Sequence, residues 1–318
     1  MKNLMTFVLI LSCSLALAIS VKIDDLYRLE RYSELPLLMP RGIGWESKAV
    51  FNPTAISVNS IVYLFYRSED WTGVNRWNGT SRIGLATSTD GFTFTREDRP
   101  IIEPTESYET PGGCEDPRIV RIDDLYIMTY TGYDGGRARL CIATSEDLID
   151  WHKLGPVFRD DTWSKSGAIV PAKIDGSYYM YFGDSSIKLA YSKDLKNWTV
   201  FPRPVIEPRP DRFDSRLVEP GPTPLITDEG ILLIYNSADF STIYRPGAAL
   251  FDLKNPRSLL KRTEKPLMEP ELSWEKTGQV PNVIFIEGAV IHEEKLILYY
   301  GAADTYIGAF VLNLKEDL

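Results

Sequence analysis

Cysteine, histidine and positive charge are all scarce in this chain. Its 318 residues hold three cysteines and two histidines, and 44 acidic residues outnumber 35 lysines and arginines for a net charge of −9. Three cysteines make no disulfide framework, and without a CxxC pair or a Cys/His cluster no metal centre and no cofactor is implied. Lacking a basic surplus to neutralise phosphates, the chain is not built for nucleic acid. Helical periodicity is scarce throughout, and beyond the N-terminus no apolar run is long enough to span a membrane. What is abundant is apolar and aromatic side chain, 44% and 12% of the residues. That supports a large core rather than disorder, and an acidic, aromatic-rich protein suits a neutral, hydroxyl-rich ligand.

The first residues read as a targeting segment. Lys2 precedes an apolar run from Met5 to Leu11, and Ala16-Leu17-Ala18 is an A-x-A cleavage signal. Residues 1–18 are therefore expected to be a signal peptide that sends the mature chain to the periplasm or out of the cell, and 19–318 a single domain. Ile10-Leu11-Ser12-Cys13 also resembles a lipoprotein box, the alternative to simple secretion. Once Cys13 is removed, Cys114 and Cys141 remain, and a buried thiol pair is favoured over a bridge.

A module of roughly 45–60 residues recurs along the chain. Ile61–Arg67, Leu125–Tyr130, Tyr178–Phe182, Ile231–Asn236 and Lys295–Gly301 are apolar strands. Each is followed by a second strand, and in the first three copies then by a turn opening on Asp90, Asp147 or Asp194. The fifth copy lacks a strand that the N-terminal part can supply. Five such units predict an all-β fold, a five-bladed β-propeller. A propeller concentrates function where its innermost strands begin. Those places are Phe51-Asn52-Pro53, Glu115-Asp116-Pro117-Arg118, Ser166-Gly167, Glu219-Pro220-Gly221 and Glu287-Gly288, and three of the five carry a carboxylate. Pro117 biases Asp116 to an extended conformation and fixes its carboxylate in place. The loop Asp70–Trp77, with two tryptophans in polar company, reads either as a sugar-stacking surface or as a self-packed loop. His152 and His292 fall on outer elements and receive no role.

Phe51-Asn52-Pro53, Tyr66-Arg67, Cys114-Glu115-Asp116-Pro117-Arg118, Gly221-Pro222-Thr223-Pro224 and Tyr299-Tyr300-Gly301-Ala302-Ala303-Asp304 together resemble glycoside hydrolase family 130, the β-mannoside phosphorylases and β-mannosidases. The resemblance implies a sugar in the central pocket and Asp116 as general acid, reaching the glycosidic oxygen through a sugar hydroxyl. Family phosphorylases tend to carry a Lys before the Gly-Pro segment and a His after the following Tyr. Here Glu219 and Asn236 stand in those regions, which favours water over phosphate as the acceptor. The expectation is inverting hydrolysis of a β-mannoside, best guess β-1,2-linked, with Glu219 as first-choice base and Glu287 as second. Asn52, Arg67, Glu115, Arg118 and Asp304 are expected to contact the mannose-containing oligosaccharide. A phosphorylase and a non-catalytic glycan-binding protein are the alternatives.

Overall fold

The computed structural model describes residues 19–72, 79–159 and 162–314, and over these the chain is all-β. The segment read as a signal peptide and Trp77 lie outside the described residues. The recurring modules fold as successive antiparallel meanders. After β1 (Glu30–Arg31), the first comprises β2 (Ala49–Val58), β3 (Ile61–Glu69), β4 (Ser81–Ser88) and β5 (Thr95–Arg96). The second comprises β6 (Gly113–Ile122), β7 (Leu125–Tyr133), β8 (Ala138–Ser145) and β9 (His152–Pro156), joined to the first by a single parallel pairing of Ser81 with Gly113. The third comprises β10 (Ala168–Ile169), β11 (Tyr178–Phe182), β12 (Lys188–Ser192) and β13 (Thr199–Val200). In the fourth, β14 (Leu217–Pro220) and β15 (Leu225–Thr227) both pair with β16 (Gly230–Ala238), followed by β17 (Tyr244–Phe251) and β18 (Leu259–Arg262). The fifth, β19 (Ile284–His292), β20 (Lys295–Ala302) and β21 (Tyr306–Asn313), is completed by β1, whose Glu30 and Arg31 pair with Val311 and Phe310. The missing strand of the fifth module is thus supplied from the N-terminal side, as its sequence requires.

Apolar clusters fill the spaces between the sheets. Val50, Leu64 and Tyr66 of the first sheet pack with Ile297 and Tyr299 of the fifth, and Tyr181 and Leu189 of the third with Leu233 and Phe251 of the fourth. Four of the five sheets also bury an acid. Glu46, Glu109, Asp214 and Glu275, each on the segment leading into its sheet, accept the hydroxyl of Tyr66, Tyr130, Tyr235 and Tyr300 on the second strand. Each is matched by a cation on the outermost strand: Arg96, Lys153, Arg262 and Arg31. Full satisfaction makes these buried charges tolerable, and each triad ties an outer strand to the body of its sheet. The third sheet has Phe182 at the tyrosine's place, and no such triad is formed there among the described residues.

Cys114 and Cys141 are free and buried. They sit on β6 and β8 with β7 between them, so their backbones are two strand spacings apart, roughly 9–10 Å, beyond the span of a disulfide.

Candidate active site

The first strand of each sheet carries, or in the third sheet directly follows, a polar residue and then Pro or Gly: Asn52-Pro53, Asp116-Pro117, Ser166-Gly167, Glu219-Pro220 and Glu287-Gly288. On β2, β6 and β19 the strand pairing shifts at this point, between Phe51 and Pro53, Glu115 and Arg118, and Ile286 and Gly288. Proline donates no ladder hydrogen bond and glycine adds no side chain to hold the register, so a bulge is the local solution. Asn52 and Asp116 take left-handed backbone conformations with φ of 46° and 51°, so Asp116 is not extended as the proline after it suggested, and Ser166 has φ 60°. Such conformations are disfavoured for side-chain-bearing residues and concentrate at functional sites. They turn these polar groups toward one another. Asn52 Nδ2 donates to Asp116 Oδ1 at 2.9 Å, and the Ser166 hydroxyl donates to Glu219 Oε1.

The result is a cavity of about 770 Å³, in the size range of small-molecule sites. Asp116 and Glu219 face it together with Asn52, Arg67, Lys165 and Asp304. Three donors converge on the Asp116 carboxylate: Asn52, Arg67 Nη1 at 3.1 Å and Lys165 Nζ at 3.2 Å. Arg67 also grips Glu115 (3.0 Å) and Glu69 (2.6 Å), and its guanidinium lies over the Phe51 ring. Lys165 Nζ stands 3.8 Å from Glu219 Oε1. With the lysine bridging both acids, the nearer Asp116 and Glu219 oxygens lie no more than about 7 Å apart, at or below the lower end of the separation an inverting pair needs.

Burial alone would raise the Asp116 pKa, but the charges of Lys165 and Arg67 and the Asn52 hydrogen bond outweigh it and hold the group well below the usual carboxylate range. Its neighbours go the other way. Burial pushes Glu115 up to about 7 against the pull of Arg67, and pushes Asp304 to about 7 against the same arginine. Glu219 is also raised by burial, with Lys165 and Arg118 opposing. Lys165 is raised despite burial, by the charges of Glu219 and Asp116. The site therefore juxtaposes a firmly ionised carboxylate with protonatable ones, the arrangement acid–base chemistry requires.

Two expected site residues are elsewhere. Arg118 and Glu287 do not line the cavity; they form a fully buried pair, Nη2 to Oε1 2.6 Å. The arginine's N–H groups also go to the carbonyls of Gly221 (2.8 Å), Pro220 (2.8 Å) and Asp116 (3.2 Å). Arg118 is thus a bolt joining β6 to the end of β14 and the residue after it, outside the cavity in which a sugar contact was expected. Glu287 points into that bolt rather than into the cavity, where the expected base would have to stand. Asn236 is likewise buried away from the cavity, its side chain bridging the backbone N–H and carbonyl of Ile286 at 2.8 Å each. That brace supports the bulge of β19 and holds Asn236 away from the cavity.

The sequence reading missed Lys165, Arg216, Tyr244 and Gln279, all on the cavity wall. Lys165 was detectable: it precedes Ser166-Gly167 as Glu115 precedes Asp116-Pro117. Trp71 of the tryptophan loop faces the cavity, 61% exposed, with Lys48 Nζ 5.6 Å from its ring. His152 is exposed, and His292 is buried at the end of β19 against the carbonyl of Thr89; neither faces the cavity. Among the described residues no group of His, Cys, Asp and Glu has the arrangement to hold a metal ion.

The family model of glycoside hydrolase 130, described as beta-1,4-mannooligosaccharide phosphorylase, matches residues 23–318. A 1,2-beta-oligomannan phosphorylase of Thermoanaerobacter sp. (strain X514) is 42% identical over 91% of this chain and 98% of its own length. A beta-1,2-mannobiose phosphorylase of the same organism is 38% identical over 92% and 99%. A solved structure described as "The GH130 family of mannoside phosphorylases contains glycoside hydrolases that target beta-1,2 mannosidic linkages in Candida mannan" superposes with a TM-score of 0.87 at 37% identity, covering 91% of this chain and 95% of that one.

Proposed function

The chain belongs to glycoside hydrolase family 130 and is an enzyme acting on β-mannosides, and from that premise we propose that it cleaves β-1,2-linked manno-oligosaccharides with Asp116 as the catalytic acid. The observation that carries this reading is the Asp116 carboxylate, set on a strained bulge in the wall of a 770 Å³ cavity and gripped by Asn52, Arg67 and Lys165. Those donors favour the ionised form of Asp116. A sugar hydroxyl that takes over one of them makes room for a proton on Asp116, and Glu115 and Asp304 hold protons close by near neutral pH. The leaving oxygen then takes that proton, directly or through the sugar hydroxyl. The five antiparallel modules, four of four strands and one of five, with their first strands converging on this site, support a five-bladed propeller whose axis is the cavity. Export through the N-terminal segment belongs to the same proposal.

Phosphate is the acceptor we favour. The expectation of hydrolysis rested on Glu219 and Asn236 standing where phosphorylases tend to carry a lysine and a histidine, and on the Glu219 carboxylate as a group that would repel phosphate and activate water. Lys165 now puts an ammonium in the cavity, and Asn236 lies outside it. Arg216 adds an exposed guanidinium at the cavity wall, and the named relatives at 42% and 38% identity are phosphorylases. Water as acceptor is the second reading, favoured by one observation: Glu219 faces the cavity with its pKa raised by burial, as a base would. Product analysis with β-1,2-mannobiose separates them. Mannose 1-phosphate formed only when inorganic phosphate is present supports the first, and free mannose at a phosphate-independent rate overturns it in favour of the second. No product in either buffer sinks the proposed function.

A further inference from the structure

A second lobe of about 230 Å³ opens beside the main cavity. The two share Arg67, Lys165, Gln279 and Asp304, so they are two ends of one trough whose waist is the cluster around Asp116. The main cavity, at about 770 Å³, has room for the two sugars flanking a scissile bond and for an acceptor. The second lobe is on the scale of one further sugar ring. Its walls combine aromatic faces, Phe51, Tyr133 and Trp163, with the carboxylates of Glu69 and Glu115. Trp163 is 53% exposed, and its indole N–H donates to Asp184 Oδ2 at 2.7 Å. That bond fixes one edge of the ring and leaves a face open toward the lobe. A held indole with an open face matches the C–H face of a pyranose, while carboxylates accept its hydroxyls. Arg67 on the lobe's wall is already matched by Glu69, Glu115 and Asp116, so the lobe offers no surplus cation to a phosphate and fits a neutral sugar.

We propose that this lobe binds a mannosyl unit beyond the two that flank the scissile bond, with Trp163 as its stacking platform, so that the enzyme favours chains of three or more units over the disaccharide. This rests on the β-mannoside reading above. The test compares kcat/KM for β-1,2-mannobiose and β-1,2-mannotriose in the wild type, Trp163→Ala and Trp163→Phe. The wild type should prefer the triose. The alanine variant should cut that preference about three- to tenfold, the worth of one aromatic contact, chiefly through KM for the triose. The phenylalanine variant should restore most of it. Equal use of biose and triose by the wild type overturns the inference, as does an equal loss on both sugars in Trp163→Ala. It is also overturned if Trp71→Ala, in the main cavity, rather than Trp163→Ala, changes the length preference. A wild type that turns over neither sugar refutes the β-1,2-mannoside reading itself, an outcome distinct from these.

Discussion

At the scale of single residues, the site balances one ionised carboxylate against several buried ones. Asp304 carries a testable consequence. Burial lifts its folded-state pKa to about 7, whereas an aspartate in the unfolded chain titrates near 4. The folded state thus binds this proton more tightly than the unfolded state, and its contribution to stability falls as pH rises from about 4 through 7. Asp304→Asn should raise the thermal midpoint of the ligand-free protein at pH 8, by a few degrees, and change it little at pH 4. Calorimetry at the two pH values checks this; an equal shift at both would show that the charge is not the cause. The same scale shows what the sequence could and could not convey. Asp116 and Glu219 were legible because each stands before a proline at a strand mouth. Arg118 and Glu287 were misplaced because strict alternation breaks at a bulge, and the side of the strand on which such residues fall depends on the partner strand. Lys165 was passed over because its Ser-Gly mouth carries no acid.

At the scale of elements, the bulges on β2, β6 and β19 do the positioning, and they need room. A Cβ at Gly301 on β20 would lie 2.7 Å from the backbone nitrogen of Asn52 and meet its side-chain amide as well. Gly301→Ala should therefore displace Asn52 and loosen one of the three donors on Asp116, lowering kcat about tenfold or more even though the residue lies outside the cavity. Steady-state kinetics with a melting curve separates that effect from unfolding; a folded variant with wild-type kcat would show that the bulge does not position the acid. The meander order was readable from the repeat, because each module brings its own apolar strands. The four tyrosine–carboxylate–cation triads were not, since each assembles one residue from a lead-in segment, one from a second strand and one from an outer strand. Those residues are neighbours only once the sheet has formed.

At the scale of the whole molecule, stability depends on an N-terminal strand closing the last sheet. Arg31 of β1 reaches Glu275 at 2.9 Å and Glu271 at 2.8 Å, and Glu275 is fully buried against the hydroxyl of Tyr300. Arg31→Ala should cost about 3 kcal/mol by leaving that carboxylate without its cation. Denaturant unfolding would measure it, and a loss below about 0.5 kcal/mol would place the pair among weak surface bridges. Closure also bears on function, because β19 of the same sheet packs beside Asn236 and the bolt formed by Arg118 and Glu287. The measurement that bears most directly on the whole account is the initial rate of β-1,2-mannobiose cleavage in phosphate buffer, wild type against Asp116→Asn. The account predicts turnover by the wild type and a loss of about 10²- to 10⁴-fold in the variant with its fold intact. A folded Asp116→Asn that cleaves the disaccharide at the wild-type rate would contradict it.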